Sequence, residues 1–141
     1  MTRWTASGQA LVATLKGYPR NLSAGLRVFT QMSVRAEIAR NEAFFRAVNE
    51  GIAEASERFE SEEAEFLCEC GDDRCTHRIE VPLEEYERVR QSPTRFLVKR
   101  GHVLPEVEEV VRRRQRYAIV DKVDRVAARI VRRLNPRARR A

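Results

Sequence analysis

All three cysteines of this 141-residue chain lie within eight residues, as Cys68, Cys70 and Cys75. The run Gly-Asp-Asp at residues 71–73 separates the first two from the third and is typical of a turn. Side chains alternate between the two faces of a strand, so Cys68 and Cys70 would point the same way. Folding back at the turn would bring Cys75 toward them. The pattern predicts a hairpin that gathers three thiols at one point.

Three thiolates supply most of a tetrahedral zinc site, which needs four nitrogen or sulfur ligands. The chain contains two histidines, His77 and His102, and each is a candidate for the fourth ligand. His77 would share one short strand with Cys75, which would crowd the tetrahedron. His102 follows Gly101, which frees the backbone to turn, and it would tie two distant segments together. We therefore predict a Zn²⁺ site with His102 as the fourth ligand and keep His77 as the alternative.

Other interpretations of the three cysteines are weaker but stay open. A disulfide is disfavoured because three is an odd number and a Cys-x-Cys bridge is strained. Free cysteines also occur as small buried hydrophobic residues, although the turn here is polar. The third alternative is a redox-responsive cluster, in which Arg74 and Arg78 lower the pKa of the thiols.

The charge is distributed unevenly along the chain. Its net charge is +6, and charged residues make up 34% of it against 7% aromatic residues. The segments 1–36, 37–91 and 92–141 carry net charges of +5, −9 and +10. A small chain with few aromatic residues has a thin core, so a metal ion would contribute much to its stability.

The first 31 residues differ from the rest. They contain no acidic residue and show no sustained periodicity, so we interpret residues 1–31 as a disordered extension or as sequence upstream of the true start at Met32. A targeting peptide is the less favoured alternative. We predict one zinc-stabilised domain at residues 32–134 and a basic tail at residues 135–141. No apolar run reaches the roughly 20 residues of a membrane span, and no signal peptide is evident, so we expect a cytoplasmic protein.

A helical pattern follows Ser33, a residue that favours the N-cap position. Ile38, Phe45, Ile52 and Phe59 repeat every seven residues and form a narrow apolar stripe. The favoured interpretation is an amphipathic helix that packs on the protein's own sheet. The alternative is a coiled-coil seam, through which Ile38, Phe45 and Ile52 would join two copies of the chain.

The remaining pattern predicts an α+β fold, with an N-terminal amphipathic helix, a small antiparallel sheet that includes the zinc hairpin, and a C-terminal basic helix. The predicted elements are hairpin strands near residues 65–70 and 76–81, a short helix opened by Pro82, a strand at residues 96–99, a hairpin of residues 107–112 and 117–122, and a helix at residues 123–134. For the second hairpin, the alternative is a helix that starts at Pro105.

The C-terminal part is rich in arginine, which suggests contact with nucleic acid. Arginines that neutralise phosphates release counterions and give affinity without reading sequence. Arginines on a helix are also common as a solvated face, so RNA or ribosome contact is the second hypothesis for function. The candidate residues are Arg112, Arg113, Arg114, Arg116, Arg125, Arg129, Arg132 and Arg133.

Several segments together resemble a family of short, uncharacterised bacterial proteins. They are Phe-Leu-Cys-Glu-Cys-x4-Cys at residues 66–75, residues 85–90, Pro-Thr-Arg-Phe-Leu-Val at residues 93–98, and Gly-His at residues 101–102. The resemblance covers roughly residues 36–122. It implies that the cysteines and the Gly-His pair belong to one unit, and it implies no reaction, substrate or partner.

The motifs of common enzyme classes do not occur in the sequence. We find no Gly-x-Ser-x-Gly, phosphate-binding loop, dinucleotide fingerprint or His-Glu-x-x-His. A zinc site with four protein ligands is closed and structural. We therefore expect a structural-zinc protein that acts as an interaction or regulatory module without catalysis, and we identify no small-molecule substrate.

Overall fold

The computed structural model describes the backbone of residues 20–139 and the side chains of residues 31–138. Its elements are α1 (Arg20–Arg58), β1 (Glu63–Leu67), β2 (Arg78–Pro82), α2 (Leu83–Arg90), β3 (Arg95–Lys99), β4 (Glu108–Arg113), β5 (Tyr117–Lys122), α3 (Arg125–Arg133) and a 3-10 helix (Pro136–Arg139). The predicted α+β class is confirmed. None of the helices in this described part has the length and apolar character that a membrane span requires.

Helix α1 begins earlier than the sequence predicted. It starts at Arg20, so Ser33 lies in the helix interior and its prediction as the N-cap is wrong. The helix therefore crosses the domain boundary that we predicted at Met32. Residues 1–19 of the predicted extension lie outside the described residues.

The predicted apolar stripe of α1 packs inside the chain. Ile38 and Phe45 are buried, and Ile52 packs against the core. Phe59, the fourth member of the repeat, is exposed. The favoured interpretation, a helix on the protein's own sheet, describes the first three residues. The alternative, a seam between two copies of the chain, stays a prediction.

Two antiparallel sheets lie beside α1. Strands β1 and β2 form one sheet, and the other has the strand order β3-β5-β4. The predicted hairpin of β4 and β5 is confirmed, and the alternative helix from Pro105 is wrong. A bulge between Val110 and Arg112 shifts the register of β4. The single short sheet of the prediction is thus two sheets, joined through α2.

The core lies between α1, the two sheets and the shorter helices. Phe66 of β1 stacks on Tyr86 of α2, with ring centroids 4.1 Å apart and an interplanar angle of 12°. Helix α3 packs against α1 and buries Val131. Its N-cap is Asp124, whose carboxylate accepts a hydrogen bond from the Ala127 N–H.

The start of the predicted basic tail is held to the domain. The Arg137 guanidinium donates to Glu50 on α1 and to Glu87 on α2. Arg90 also pairs with Glu50 and donates to the Asn135 side chain. These contacts dock the 3-10 helix where helices α1 and α2 meet.

Candidate metal centre

The cysteines lie in the loop between β1 and β2 rather than on a strand. Strand β1 ends at Leu67, so the prediction of strand residues up to Cys70 is wrong. The chain nevertheless stays hydrogen-bonded beyond the strand, because the Cys68 N–H donates to the His77 carbonyl and the Glu69 N–H donates to the Leu97 carbonyl, both at 2.8 Å. Cys68 is thus held by the end of its own loop, and the adjacent Glu69 is held by strand β3.

Four predicted ligands come together at this loop. One donor atom from each of Cys68, Cys70, Cys75 and His102 lies within 4.8 Å of the others. The His102 Nδ1 atom is 3.7 Å from the Cys68 sulfur and 3.6 Å from the Cys75 sulfur. Ligand bonds of about 2.0–2.3 Å around a tetrahedral ion place donor atoms roughly 3.3–4 Å apart. The arrangement is therefore compatible with a metal site that has three sulfur ligands and one nitrogen ligand.

His77, the alternative fourth ligand, lies beside this cluster and not within it. Its ring centroid is 5.0 Å from that of His102, in an edge-to-face arrangement. Its Nδ1 atom is 3.2 Å from the ammonium of Lys99. Of the two histidines, His102 is therefore the one whose nitrogen lies among the sulfurs.

The turn after β3 explains how His102 reaches the cysteine loop. Gly101 has a φ of 87°, which is unfavourable for residues with a side chain, as its sequence position suggested. The His102 N–H donates to the Lys99 carbonyl at 3.0 Å and closes the turn. The Lys99 N–H in turn donates to the Cys68 sulfur at 3.2 Å. The end of β3 therefore contacts the cysteine loop through the Lys99 N–H, and the turn after β3 contacts it through the His102 ring.

Gly71 has a packing role that the sequence did not reveal. A Cβ atom at this position would lie 2.5 Å from the Ile38 Cγ2 atom. The Asn41 side-chain amide donates to the Gly71 carbonyl at 3.2 Å. The cysteine loop thus packs directly on α1, and the sequence had assigned Gly71 only to a turn.

Glu69, between the first two cysteines, anchors the loop to the core. It is fully buried. One carboxylate oxygen accepts from the Leu97 N–H at 2.9 Å, and the other accepts from the Asn49 amide at 2.9 Å. Asn49 also exchanges two hydrogen bonds of 2.8 Å with the backbone of Leu67. We did not predict these anchors, although a charged residue between two cysteines on an extended segment must face away from them.

The electrostatics of the cluster suit a cation at its centre. A hydrogen bond with Cys68 and burial raise the pKa of the Cys70 thiol, and burial raises the pKa of Cys75. Burial, together with the charges of His77 and Lys99, lowers the pKa of His102 and favours the neutral imidazole that binds metals. A bound divalent cation favours thiolates, so it would relieve the unfavourable environment of the sulfurs.

The eight predicted nucleic-acid-binding arginines lie in two groups. Four lie on β4 and the turn after it, and four lie on α3. Arg114 pairs with Glu85 at 2.9 Å. The other seven are exposed, and in the described part of the chain their side chains make no hydrogen bond or ion pair: Arg112, Arg113, Arg116, Arg125, Arg129, Arg132 and Arg133.

Comparisons with known proteins find no relative that would assign a role to the site, so its interpretation depends on the chemistry of its residues. No protein-family model matches the chain, and searches of curated proteins and of solved structures also find no match. The resemblance to a family of short bacterial proteins therefore stays an expectation from the sequence. What the structure defines is an α+β domain with a Cys3His cluster compatible with a metal.

Proposed function

We propose that this protein is a structural-zinc protein that acts as an interaction or regulatory module, without catalysis. The observation that carries this proposal is the convergence of three buried sulfurs and the His102 Nδ1 atom within 4.8 Å. Three thiolates and one imidazole are a ligand set that zinc prefers.

A structural role follows from the position of the site. All three cysteines are buried, and four protein ligands would complete the tetrahedral coordination of a zinc ion and leave no open position for a substrate. Zinc bound there would join the β1–β2 loop to the turn after β3, two segments that are distant in sequence. In a small domain such a link contributes directly to folding.

The test is elemental analysis of purified protein together with single substitutions. We expect one zinc per chain in the unsubstituted protein and almost none in Cys75→Ser or His102→Ala. The matched control is His77→Ala, which should keep one zinc because His77 lies outside the group of donor atoms. Loss of zinc in His77→Ala but not in His102→Ala would contradict the ligand set, and absence of any metal in protein purified without chelators would contradict the proposal.

A second function, binding of RNA or another nucleic acid, is favoured by the seven exposed arginines whose side chains form no ion pair with residues 31–138. Exposed guanidinium groups that are not held in an ion pair can contact phosphates. Of the two groups, that on α3 is the more regular surface, since Arg125, Arg129, Arg132 and Arg133 follow helical spacing.

Fluorescence anisotropy with a single-stranded RNA at increasing salt tests this second function. Replacing Arg129, Arg132 and Arg133 by Gln should weaken binding and reduce the slope of log K against log salt, by roughly 0.7 for each phosphate that is no longer neutralised. Arg88→Gln is the control, because Arg88 is equally exposed but pairs with Glu84. No binding at low salt, or equal effects of the control, would rule out this role for α3.

A further inference from the structure

The turn that joins β4 to β5 meets the end of β3 and forms an arginine-rich surface there. The Arg114 N–H donates to the Tyr117 carbonyl at 2.9 Å and closes the turn. The Arg100 N–H donates to the Arg116 carbonyl, and the Arg100 guanidinium donates to the Gln115 carbonyl, both at 3.4 Å. The structure thus adds Arg100, which the sequence did not single out, to the arginines of the turn. We define the tip surface as the exposed arginines without an ion pair in this region of the described chain: Arg100, Arg112, Arg113 and Arg116.

The one carboxylate that pairs with the turn in the described part of the chain is already engaged. Glu85 of α2 accepts from the Arg114 Nε atom at 2.9 Å and from the Tyr117 hydroxyl at 2.5 Å. Its charge is therefore balanced by Arg114. The tip surface keeps the positive charges of its four arginines, and like charges held close together attract an anion with several negative groups.

The arginines of the tip surface extend from both faces of the hairpin. In the register of β4 with β5, Arg112 lies opposite Ile119 and Arg113 lies opposite Ala118. Adjacent residues of a strand point to opposite faces, so Arg112 and Arg113 point away from each other. A single strand of nucleic acid presents one row of phosphates, whereas a groove of a duplex has a row on each side. The major groove of DNA, about 12 Å wide, admits a two-stranded ribbon.

The composition of the tip surface fits phosphates better than an acidic protein. All of its members are arginines, and the planar guanidinium group binds a phosphate through two parallel hydrogen bonds. Interfaces between proteins have an apolar centre. Among the described residues of the hairpin, only Val111 is a large apolar residue that is exposed.

We propose that the tip surface binds in a groove of a double-stranded nucleic acid, with Arg112 and Arg113 on phosphates of opposite strands. This inference rests on the second proposed function, since it names the form of nucleic acid and a further surface that binds it. The turn precedes β5 and α3 follows β5, so the tip surface and the arginines of α3 are separate contact surfaces. Duplex DNA and duplex RNA both have grooves lined by two rows of phosphates, and the experiment compares them.

Fluorescence anisotropy of the purified full chain at low salt tests the preference for a duplex. The probes are a DNA duplex, an RNA duplex and a single-stranded RNA with equal numbers of phosphates. At least one duplex should bind about tenfold more tightly than the single strand, because it adds contacts on the second face of the hairpin. Binding of the single strand that equals or exceeds that of both duplexes would overturn the proposal.

Two single substitutions test whether both faces take part. Arg112→Gln and Arg113→Gln should each weaken duplex binding and reduce the slope of log K against log salt by roughly 0.9, the value for one phosphate. Thermal melting should stay unchanged because both side chains are exposed. Arg95→Gln is the matched control, since Arg95 is exposed on the same sheet but pairs with Asp121. An effect of only one of the two substitutions, or an equal effect of the control, would overturn the proposal.

Photo-crosslinking to a duplex that contains thiolated bases separates this proposal from the second proposed function. Crosslinked peptides should include residues 100–116, as mass spectrometry identifies them. Crosslinks confined to α3 would overturn the role of the tip surface and leave nucleic-acid binding by α3 in place, whereas no binding of any probe at low salt would contradict both. Displacement of the duplex by poly-glutamate of equal total charge would identify a surface for acidic proteins and also overturn the proposal.

Discussion

The cysteine cluster and the ion cluster beneath α1 both place polar groups inside the domain, but they are assembled from different parts of the chain. Three of the four residues in the cysteine cluster come from one loop of eight residues. The ion cluster consists of Glu42 from α1, Glu108 from β4 and Lys122 from β5, and the side chains of all three are fully buried. The Lys122 ammonium pairs with both carboxylates.

The difference concerns where the positive charge comes from. The ion cluster contains its own cation, whereas the cysteine cluster has donor atoms that bind a metal as thiolates and neutral imidazole. Burial raises the pKa of Glu42, so this residue holds a proton and the Lys122 ammonium balances the charge of Glu108. The Glu42 Oε2 atom has no hydrogen-bond partner within the described residues. With the proposed zinc bound, the cysteine cluster would depend on an ion from solution, whereas the ion cluster depends on the packing of three distant segments.

Removal of the metal should have the largest effect on stability. A chelator, or Cys75→Ser, should lower the free energy of unfolding by about 4–5 kcal/mol or more, because loss of a structural metal is among the most destabilising changes. Urea unfolding with and without the chelator measures this difference. A chelated protein that unfolds at the same urea concentration would show that the cluster contributes nothing to the fold.

Removal of the Lys122 ammonium from the ion cluster should have the next largest effect on stability. Lys122→Met leaves a buried carboxylate without its partner and should destabilise the domain by about 3–5 kcal/mol, with zinc content unchanged. Arg95→Met is the matched control, because Arg95 pairs with Asp121 on the same sheet at the surface, and its loss should change stability by at most about 1 kcal/mol. Equal effects of the two substitutions would mean that burial of the ion cluster is unimportant.

Glu69→Gln tests the connection between the cysteine loop and the core. Both oxygens of Glu69 accept hydrogen bonds, from Leu97 and Asn49, and an amide can accept at only one of its two ends. We expect a loss of about 1–3 kcal/mol in the free energy of unfolding, with one zinc still bound. Glu65→Gln, at an exposed position of β1, is the control and should change stability little.

The pH dependence of stability should distinguish the ion cluster from the cysteine cluster. Burial raises the pKa of Glu42 from 4.5 to about 8, although Lys122 opposes the shift. The folded state therefore holds a proton that the unfolded state has released, and the free energy of unfolding falls as pH rises between these two values, by at most about 1.4 kcal/mol per unit. Glu42→Gln should remove this slope, which urea unfolding at several pH values measures. Parallel curves for the two proteins would contradict the shift.

The elements that the sequence predicted correctly were those with a strong local signal. The hairpin of β4 and β5 and the strand at β3 were predicted within a residue or two, because alternating apolar residues and a polar turn define such elements locally. The predicted start of α1, after Ser33, differs from the observed start at Arg20 by more than three turns of helix. Ser33 is a good N-cap only where a helix begins, and its residue type does not reveal whether a helix already precedes it.

The sequence by itself determined the three sulfur donors of the candidate metal centre, because three thiols within eight residues meet in almost any compact turn. The sequence favoured His102 over His77 but left both open, and the tertiary structure places His102 among the sulfurs, since its position depends on where the turn after β3 packs. The structure alone also brought together Glu42, Glu108 and Lys122, which are up to 80 residues apart. A local pattern limits which side chains can be neighbours along the chain, but contacts between distant segments depend on how the whole core packs.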